Sequence, residues 1–229
     1  MPSGEDQKRR AAERAAALVE DGMTIGLGSG TTSELFVRAL APRIADGLRL
    51  RCVATSGRTE RLADELGIGL VELDGELDLA IDGADVVERN TLHAIKGRGG
   101  ALTREKIVSL AARRFIIVAD GSKVVDHLAD ALPTMQVPVE VLPFGWQMTR
   151  RRLAAIGDPI LRERDGAPFV TDNGNLVLDL YNAPLDRPAD LAVAITTIPG
   201  VVEHGLFIDI ASLAIVGVDG GVEELRRGV

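Results

Sequence analysis

Four short segments of the chain combine glycines with side chains that bind phosphate or transfer protons. They are GLGSGTT at residues 26–32, AIDGAD at 80–85, IKGRGGALTREK at 95–106 and ADGSK at 119–123. Among their side chains are several hydroxyl groups, the lysines Lys96 and Lys123, the glutamate Glu105, and the aspartates Asp82 and Asp85, which stand three residues apart. Such a set of groups suits proton transfer on a phosphorylated sugar.

The segment GLGSGTT follows a strand pattern and opens a helical pattern, a position where backbone N–H groups and the helix dipole favour an anion. Ser29, Thr31 and Thr32 add hydroxyl donors. The Gly-Lys-Ser/Thr ending of a P-loop is missing. A dinucleotide fingerprint fits poorly, because its third glycine would fall at Thr31 and no acidic residue ends the second strand. We favour a monophosphate site; a dinucleotide site and a structural turn are the alternatives.

Asp82 and Asp85 stand at the carboxyl end of a predicted buried strand. Ligands of open α/β sheets bind beyond this end of the strands. A carboxylate pair there can hold sugar hydroxyls, bind a divalent metal or move protons. The alternative is an Asp-Gly turn with a solvated carboxylate.

Two lysines and a glutamate accompany the aspartates. Lys96 precedes a glycine-rich loop and can neutralise a phosphate or an oxyanion, whereas Glu105, early in the following helix, can lean over the same crevice. Lys123 follows another apolar strand and can reach an anion. Structural alternatives stay open for these residues. Glu105 can simply be a glutamate at a helix start, where the helix dipole favours it, and Lys123 can be a solvent-exposed lysine in a turn. All four segments are expected at one sheet edge.

Alternating strand and helix patterns must position these groups. The predicted helices cover residues 5–20, 32–47, 58–67, 101–114, 145–157 and 188–198. The predicted strands of the first part cover residues 23–28, 48–56, 69–73, 77–85 and 115–120. Strands that are apolar on both faces and alternate with helices indicate a parallel sheet covered on each side. Thr32 or Ser33 is the expected cap of the second helix.

The pattern changes near Leu132. Proline-punctuated sequence and a helix precede residues 168–181, which predict a hairpin around Asn173-Gly174, the two residues expected at positive φ. We therefore predict an α/β protein with two parts. A Rossmann-like catalytic domain comprises residues 1–130 plus 206–229, where the tail adds a strand to the first sheet. A smaller α+β domain at a subunit interface comprises residues 131–205.

Composition excludes several classes of protein. The 229 residues carry a net charge of −8, which argues against a nucleic-acid surface. The single cysteine, Cys52, excludes an intramolecular disulfide, and the three histidines form no zinc-type spacing. The charged start does not read as a secretory signal, and no apolar run reaches the length of a membrane span. We expect a cytoplasmic protein with no membrane partner.

From about residue 8 to residue 220 the chain resembles type A ribose-5-phosphate isomerases. Eight ordered blocks carry the resemblance: GLGSGTT, SGRTERLADELGI, AIDGAD, IKGRGGALTREKI, VADGSK, VPVEVLPF, VTDNGNLVLDL and IPGVVEHGLF. The resemblance implies interconversion of ribose 5-phosphate and ribulose 5-phosphate in the non-oxidative pentose phosphate pathway. It implies no metal, no organic cofactor, and a homodimer or a dimer of dimers.

The resemblance also implies roles for individual residues. Glu105 matches the general base, which passes a proton between C2 and C1 through a cis-enediolate, and Lys96 would stabilise the enediolate charge. Asp82 and Asp85 would orient hydroxyls, help to open the ring and shuttle protons between O1 and O2. The implied substrate-binding residues are Ser29, Gly30, Thr31, Thr32, Gly83, Ala84, Gly97, Arg98, Gly99 and Lys123.

The chain departs from the family pattern at three places. Residues 28–32 keep their hydroxyl side chains in a different order, and Val86 stands where the family commonly has a glutamate. Arg98 stands where the family commonly has a glycine, and its long side chain could swing outward or crowd the ligand. Two other functions stay open: a non-enzymatic sugar-phosphate sensor, and an isomerase or deaminase acting on another phosphosugar. A sensor would need a DNA-binding module, and none precedes residue 25.

Overall fold

The computed structural model describes residues 4–132 and 134–228. The α-helices are α1 Gly4–Ala16, α2 Thr31–Ala45, α3 Gly57–Glu65, α4 Leu102–Ala111, α5 Trp146–Leu153 and α6 Pro188–Thr196. The first strands are β1 Thr24–Leu27, β2 Arg51–Ala54, β3 Leu79–Gly83, β4 Val86–Glu88, β5 Ala94–Ile95, β6 Phe115–Asp120, β7 Val124–Val125 and β8 Val137–Val141. The later strands are β9 Asp158–Leu161, β10 Glu163–Arg164, β11 Ala167–Pro168, β12 Leu176–Tyr181, β13 Val201–His204, β14 Leu206–Phe207, β15 Leu213–Val218 and β16 Gly221–Leu225. Short 3₁₀ turns cover Gly121–Lys123 and Leu128–Ala131.

The central sheet has six strands in the order β16-β15-β6-β3-β1-β2. The neighbours from β15 to β2 all run parallel, and only the edge strand β16 is antiparallel. Its middle strands are buried on both faces, as in Phe115–Asp120, where all six residues are buried. This explains the continuous apolar runs that the sequence shows.

The strand order places two of the glycine-containing segments side by side. β1 is flanked by β2 on one side and by β3 on the other, so the chain changes direction across the sheet between β1 and β3. Such a switch point opens a crevice at the carboxyl ends of the strands. GLGSGTT leaves β1 there, and Asp82 lies at the end of β3.

Small side chains bring α1 close to the central sheet. Ala11, Ala12 and Ala15 are fully buried in the same core cluster as Ile116 and Ile215 of β6 and β15. An alanine face lets a helix approach a sheet closely while still removing apolar surface from water. As a result the start of α1 lies beside the start of α2, and Lys8 reaches the same crevice.

A second sheet is antiparallel, in the order β13-β8-β12-β9, with its own apolar core that includes residues of α5 and α6. A third sheet has the order β14-β5-β4-β7, and its strands β4 and β5 occupy the part of the chain between Asp85 and Lys96. The expected return of the tail to the first sheet is confirmed by β15 and β16. The domain boundaries themselves stay a prediction, and their outer ends, residues 1–3 and 229, lie outside the described residues.

Two local predictions were wrong, one of a strand and one of a helix cap. Residues 69–73 form no strand but a single bridge between Leu70 and Cys52. Gly30, at φ 88°, precedes α2 as its cap, and neither Thr32 nor Ser33 fills that position. Ser33 is buried within the helix instead, where its hydroxyl donates to Asp82.

The predicted hairpin was also misplaced. β12 pairs with β8 and β9, and Val170 forms only an isolated bridge to Leu176. Gly174 has a positive φ, but Asn173 does not. The turn with two consecutive positive φ values is Asp165-Gly166, which joins β10 to β11. Both Asp-Gly and Asn-Gly suit this turn type, so local sequence does not decide between them.

Candidate active site

A cavity of about 240 Å³ opens at the carboxyl ends of β1 and β3. Its lining consists of Lys8, Ser29, Gly30, Thr31, Thr32, Gly83, Ala84, Asp85, Lys96, Gly97, Arg98, Gly99, Glu105 and Lys123. Every residue that we expected in the site lines this cavity except Asp82, which is buried directly against Lys96. A wider groove of about 690 Å³ between α3 and α4 contains none of these residues.

Asp82 is held in one orientation by donors from three directions. Its Oδ1 accepts hydrogen bonds from the Ser29 N–H at 2.8 Å, the Ser33 hydroxyl at 2.9 Å and the Gly83 N–H at 2.7 Å. A Cβ on Gly28 would lie 2.2 Å from the same oxygen. Gly28 is therefore required because the backbone after β1 passes directly over this carboxylate.

Lys96 is the centre of a buried ionic cluster. Its Nζ lies 2.9 Å from Asp82 Oδ2 and 3.1 Å from Glu105 Oε2, and it donates to the carbonyl of Gly83. The ring of Phe207 lies 5.3 Å from Nζ, close enough for a cation–π contact. The two carboxylate oxygens pair with Lys96 by charge, but neither has an aligned hydrogen bond from any residue that the structure describes.

Burial and charge shift the pKa values of this cluster. Burial raises the pKa of Glu105 well above its ordinary value, against the opposing effect of the Lys96 ammonium. Burial alone would lower the pKa of Lys96, but the carboxylates of Asp82 and Glu105 outweigh it and raise that pKa. Lys96 therefore stays positively charged, and the Glu105 carboxyl moves towards the pH range in which a group can both accept and release a proton.

The other end of the cavity suits an anion. Residues 31–33 begin α2, and the first intrahelical bond there is donated by Glu34 to the Gly30 carbonyl. The preceding N–H groups of a helix point outwards and favour negative charge. Lys8 and Lys123 line the same cavity, and Lys8 Nζ lies 3.4 Å from the Thr31 hydroxyl. Three independent sources of positive potential thus converge on one end of the site.

The Ser29 hydroxyl points away from this anion-binding end. Its Oγ lies 2.7 Å from Thr55 Oγ1 and donates to Ser56 Oγ at 2.9 Å, and the Thr59 hydroxyl joins the same cluster. The Ser29 N–H is already bonded to Asp82. Ser29 therefore lines the cavity mainly through its backbone, and the hydroxyls of Thr31 and Thr32 are the better candidates for an anion.

The segment after Lys96 forms the opposite wall. The Arg98 N–H donates to Asp85 Oδ2 at 2.9 Å, so the backbone of this loop fixes one aspartate of the pair. The Arg98 side chain is exposed, which places its bulk at the rim of the cavity. Val86, on β4, is buried in an apolar cluster that includes Ile95 and Leu206, and it does not line the cavity. The departures from the family pattern at Val86 and Arg98 therefore leave the ionic cluster intact.

Two features of the site lay beyond the sequence reasoning. Lys8 was missed because the start of α1 follows no strand and its basic residues look like a solvated helix face. Lys96 was expected to follow a strand of the parallel sheet, but it follows β5 of the third sheet. The other three segments do follow strands of the parallel sheet, namely β1, β3 and β6. Within residues 4–132 and 134–228, no three His, Cys, Asp or Glu side chains are grouped as metal ligands.

Comparison with known proteins identifies the family. A family model described as ribose 5-phosphate isomerase A (phosphoriboisomerase A) matches residues 51–221. This chain belongs to the ribose 5-phosphate isomerase A family. The family protein of Thermomicrobium roseum is 53% identical over 227 residues, which cover 97% of this chain and 94% of the relative. That of Roseiflexus castenholzii is 51% identical over 225 residues, 96% and 94% of the two chains.

Solved structures of the family agree. Ribose 5-phosphate isomerase A of Methanocaldococcus jannaschii superimposes with a TM-score of 0.93 at 40% identity, covering 98% of this chain and all of that one. A D-ribose-5-phosphate isomerase in complex with phospho-erythronic acid gives a TM-score of 0.92 at 39% identity over 99% of this chain and 100% of its own. The predicted family and the predicted α/β fold class are thus confirmed.

Proposed function

We propose that this chain interconverts ribose 5-phosphate and ribulose 5-phosphate by moving a proton between C2 and C1 of the open-chain sugar. The observation that carries the proposal is the buried cluster of Lys96, Asp82 and Glu105 in the wall of a cavity whose other end suits a phosphate. The family match supports it, since the relatives are named as isomerases of this phosphosugar.

The phosphate would bind at the start of α2. Backbone N–H groups and the hydroxyls of Thr31 and Thr32 would donate to its oxygens, and the ammonium groups of Lys8 and Lys123 would balance its charge. These contacts are remote from C1 and C2, so their binding energy orients the sugar rather than changing the reacting carbons themselves.

Glu105 is the proposed base. Its carboxylate removes the proton from C2 of the aldose, and the C–H electrons form a double bond between C2 and C1 while the carbonyl oxygen O1 becomes negatively charged. The protonated Glu105 then delivers its proton to C1, and O2 becomes the ketone oxygen as its proton moves to O1. Burial, which raises the pKa of Glu105, makes both transfers feasible for one group.

Lys96 would stabilise the enediolate that lies between these two steps. Its ammonium is already desolvated and stays charged, so no solvent must reorganise when negative charge develops on the sugar oxygens. Asp82 and Asp85 would orient the hydroxyls and relay the proton between O2 and O1. The Asp82 Oδ2 atom pairs with Lys96 by charge but has no aligned hydrogen bond from the described residues, so it would be able to accept one from the sugar.

The decisive experiment is to incubate the purified protein with ribose 5-phosphate in D₂O and follow the sugar by NMR. We expect ribulose 5-phosphate to accumulate to equilibrium, with deuterium at C1 where the base has exchanged its proton with solvent. The assigned substrate would be refuted if the protein formed no ketose from ribose 5-phosphate but did convert a different phosphosugar. Binding of ribose 5-phosphate without turnover would favour the sensor, an alternative that none of the relatives described above supports.

We further propose that the protein acts in the cytoplasm as a homodimer or a dimer of dimers. Large apolar side chains stand exposed near the second sheet, among them Phe144, Met148 and Ile160, with Phe144 94% exposed. An apolar surface of this kind is typical of contact with another protein. Light scattering of the purified protein measures the assembly. Within the described residues no helix has the length and hydropathy needed to cross a membrane.

A further inference from the structure

Arg162 and Asp179 form a buried ion pair that touches the loop after Lys96. Arg162 directly follows β9, and Asp179 lies on the adjacent strand β12 of the second sheet. The Arg162 Nε donates to Asp179 Oδ2 at 2.8 Å and Nη2 donates to Oδ1, with the side chains only 11% and 10% exposed. Two parallel bonds to one carboxylate fix the plane of a guanidinium group.

The remaining nitrogen of Arg162 holds the loop. Its Nη1 donates to the carbonyl of Gly97 at 2.9 Å and to the carbonyl of Arg98 at 3.1 Å. These two carbonyls belong to consecutive peptide units of the segment that lines the cavity opposite the phosphate end. One side chain of the second sheet therefore sets the orientation of both peptide units.

Because each peptide unit is planar and trans, the direction of its carbonyl also fixes the direction of the following N–H. In each peptide unit the carbonyl and the following N–H point in opposite directions. The unit whose Gly97 carbonyl binds Arg162 therefore directs the Arg98 N–H the other way, where it donates to Asp85 Oδ2. The next unit, whose Arg98 carbonyl also binds Arg162, directs the Gly99 N–H to the side away from Arg162.

The loop needs such a contact because its own sequence leaves it many conformations. Gly97 and Gly100 have positive φ values of 102° and 88°, and glycines lose more backbone freedom on ordering than other residues. Phe169 supports the same contact: it lies against Gly100, where a Cβ would come within 2.3 Å of the ring. The guanidinium of Arg162 also lies 5.8 Å from the centre of that ring.

The geometry points to Arg162, oriented by Asp179, as a positioning residue for the reaction: it aims the Arg98 N–H at Asp85 and the Gly99 N–H at the sugar. This inference rests on the proposed function, because it assumes that Asp85 and the loop contact the sugar. It assigns to the second sheet a role in catalysis through the shape of the loop, with no contact between Arg162 and the substrate.

The test compares Arg162→Gln with a matched control, Arg43→Gln. Arg43 also donates to two backbone carbonyls, those of Ala16 and Val19, but at the far end of α2 from the site. We expect Arg162→Gln to lower kcat/KM by about 100-fold, as for a small misplacement of reacting groups. Inorganic phosphate, which probes only the anion-binding end, should inhibit Arg162→Gln and the wild type equally. Phospho-erythronic acid should bind more weakly to Arg162→Gln than to the wild type.

Several results would overturn the inference. One is an equal loss of kcat/KM in the Arg162→Gln and Arg43→Gln variants, which would indicate a general structural effect. Another is equal weakening of inorganic phosphate and phospho-erythronic acid. If Arg162→Gln does not fold, Arg162→Lys and Asp179→Asn carry the same comparison, since each removes the paired hydrogen bonds but keeps the size of the side chain. A wild type that does not convert ribose 5-phosphate refutes the proposed function, while the two binding measurements still test the loop.

Discussion

Replacing Glu105 by glutamine separates the proposed catalytic role of this residue from its effect on stability. Glutamine has nearly the same shape, and Lys96 keeps its contacts with Asp82 Oδ2 at 2.9 Å and with the Gly83 carbonyl. The cavity should therefore keep its form. What the variant loses is a group that can accept the C2 proton.

The expected loss of activity follows from the role of a general base. Removal of such a group slows a reaction by about 100- to 10,000-fold, and each factor of ten corresponds to about 1.4 kcal/mol in the activation free energy. Because the proposed phosphate-binding end of the cavity is untouched, the loss should lie in kcat, with KM changed by no more than a few-fold. Initial rates of ribulose 5-phosphate formation, measured by NMR over a range of ribose 5-phosphate concentrations, give both kcat and KM.

Whereas Glu105→Gln should lower activity, it should raise the stability of the folded protein at alkaline pH. The pKa of Glu105 is higher in the folded protein than its ordinary value of 4.5. A group of this kind contributes stability that is fully present below its unfolded pKa and is lost as pH rises through its folded pKa. Each unit of this upward shift corresponds to about 1.4 kcal/mol by which the ionised carboxylate opposes folding. Glutamine does not ionise, so Glu105→Gln should unfold at a higher temperature than the wild type at alkaline pH.

Thermal unfolding from pH 4 to pH 9 is the assay. A gain of at least 1.4 kcal/mol at the alkaline end corresponds to about 3 °C or more in Tm for a chain of this size. The difference between the variant and the wild type should shrink towards zero near pH 4. Near-normal turnover would refute the role of Glu105 as base. A variant that is less stable than the wild type at every pH would refute the reasoning about its burial.

Three further substitutions test separate parts of the site and surface. Gly28→Ala places a Cβ 2.2 Å from Asp82 Oδ1 and should destabilise the fold by about 1–3 kcal/mol, measured by urea unfolding; unchanged stability would contradict the close approach. Lys8→Met should raise KM for ribose 5-phosphate by about tenfold at nearly constant kcat, and an equal KM would remove Lys8 from the phosphate site. Phe144→Glu should weaken self-association in light scattering with little effect on the Tm of the subunit, and an unaltered assembly would place the interface elsewhere.

The sequence by itself predicted a parallel sheet and placed most residues of the candidate site at one edge of it. Apolar runs such as Phe115–Asp120 are long enough and apolar enough to identify buried strands. The carboxyl ends of parallel strands share one edge, so the sequence alone places GLGSGTT and AIDGAD in one crevice. The residue types then limited the chemistry to anion binding and proton transfer.

Local sequence could not decide between alternatives of similar energy. Asp165-Gly166 and Asn173-Gly174 are both suited to a tight turn, and only the pairing of β12 with β8 and β9 selects the first for a hairpin. Ser33 is a good cap by type, yet its hydroxyl is buried against Asp82. In both cases contacts with residues distant in sequence outweigh a preference worth about 1 kcal/mol.

Only the tertiary structure decided which groups surround the candidate active site. Lys8 comes from a helix with no strand before it, and Arg162 comes from a different sheet 65 residues after the Gly97 carbonyl that it binds. The raised pKa of Glu105 likewise depends on its burial and on the nearby Asp82 carboxylate, against the opposing effect of Lys96, and not on neighbours in the sequence. Composition and spacing report what a side chain can do, whereas its orientation, charge and partners are set by the packing of elements that the chain brings together from far apart.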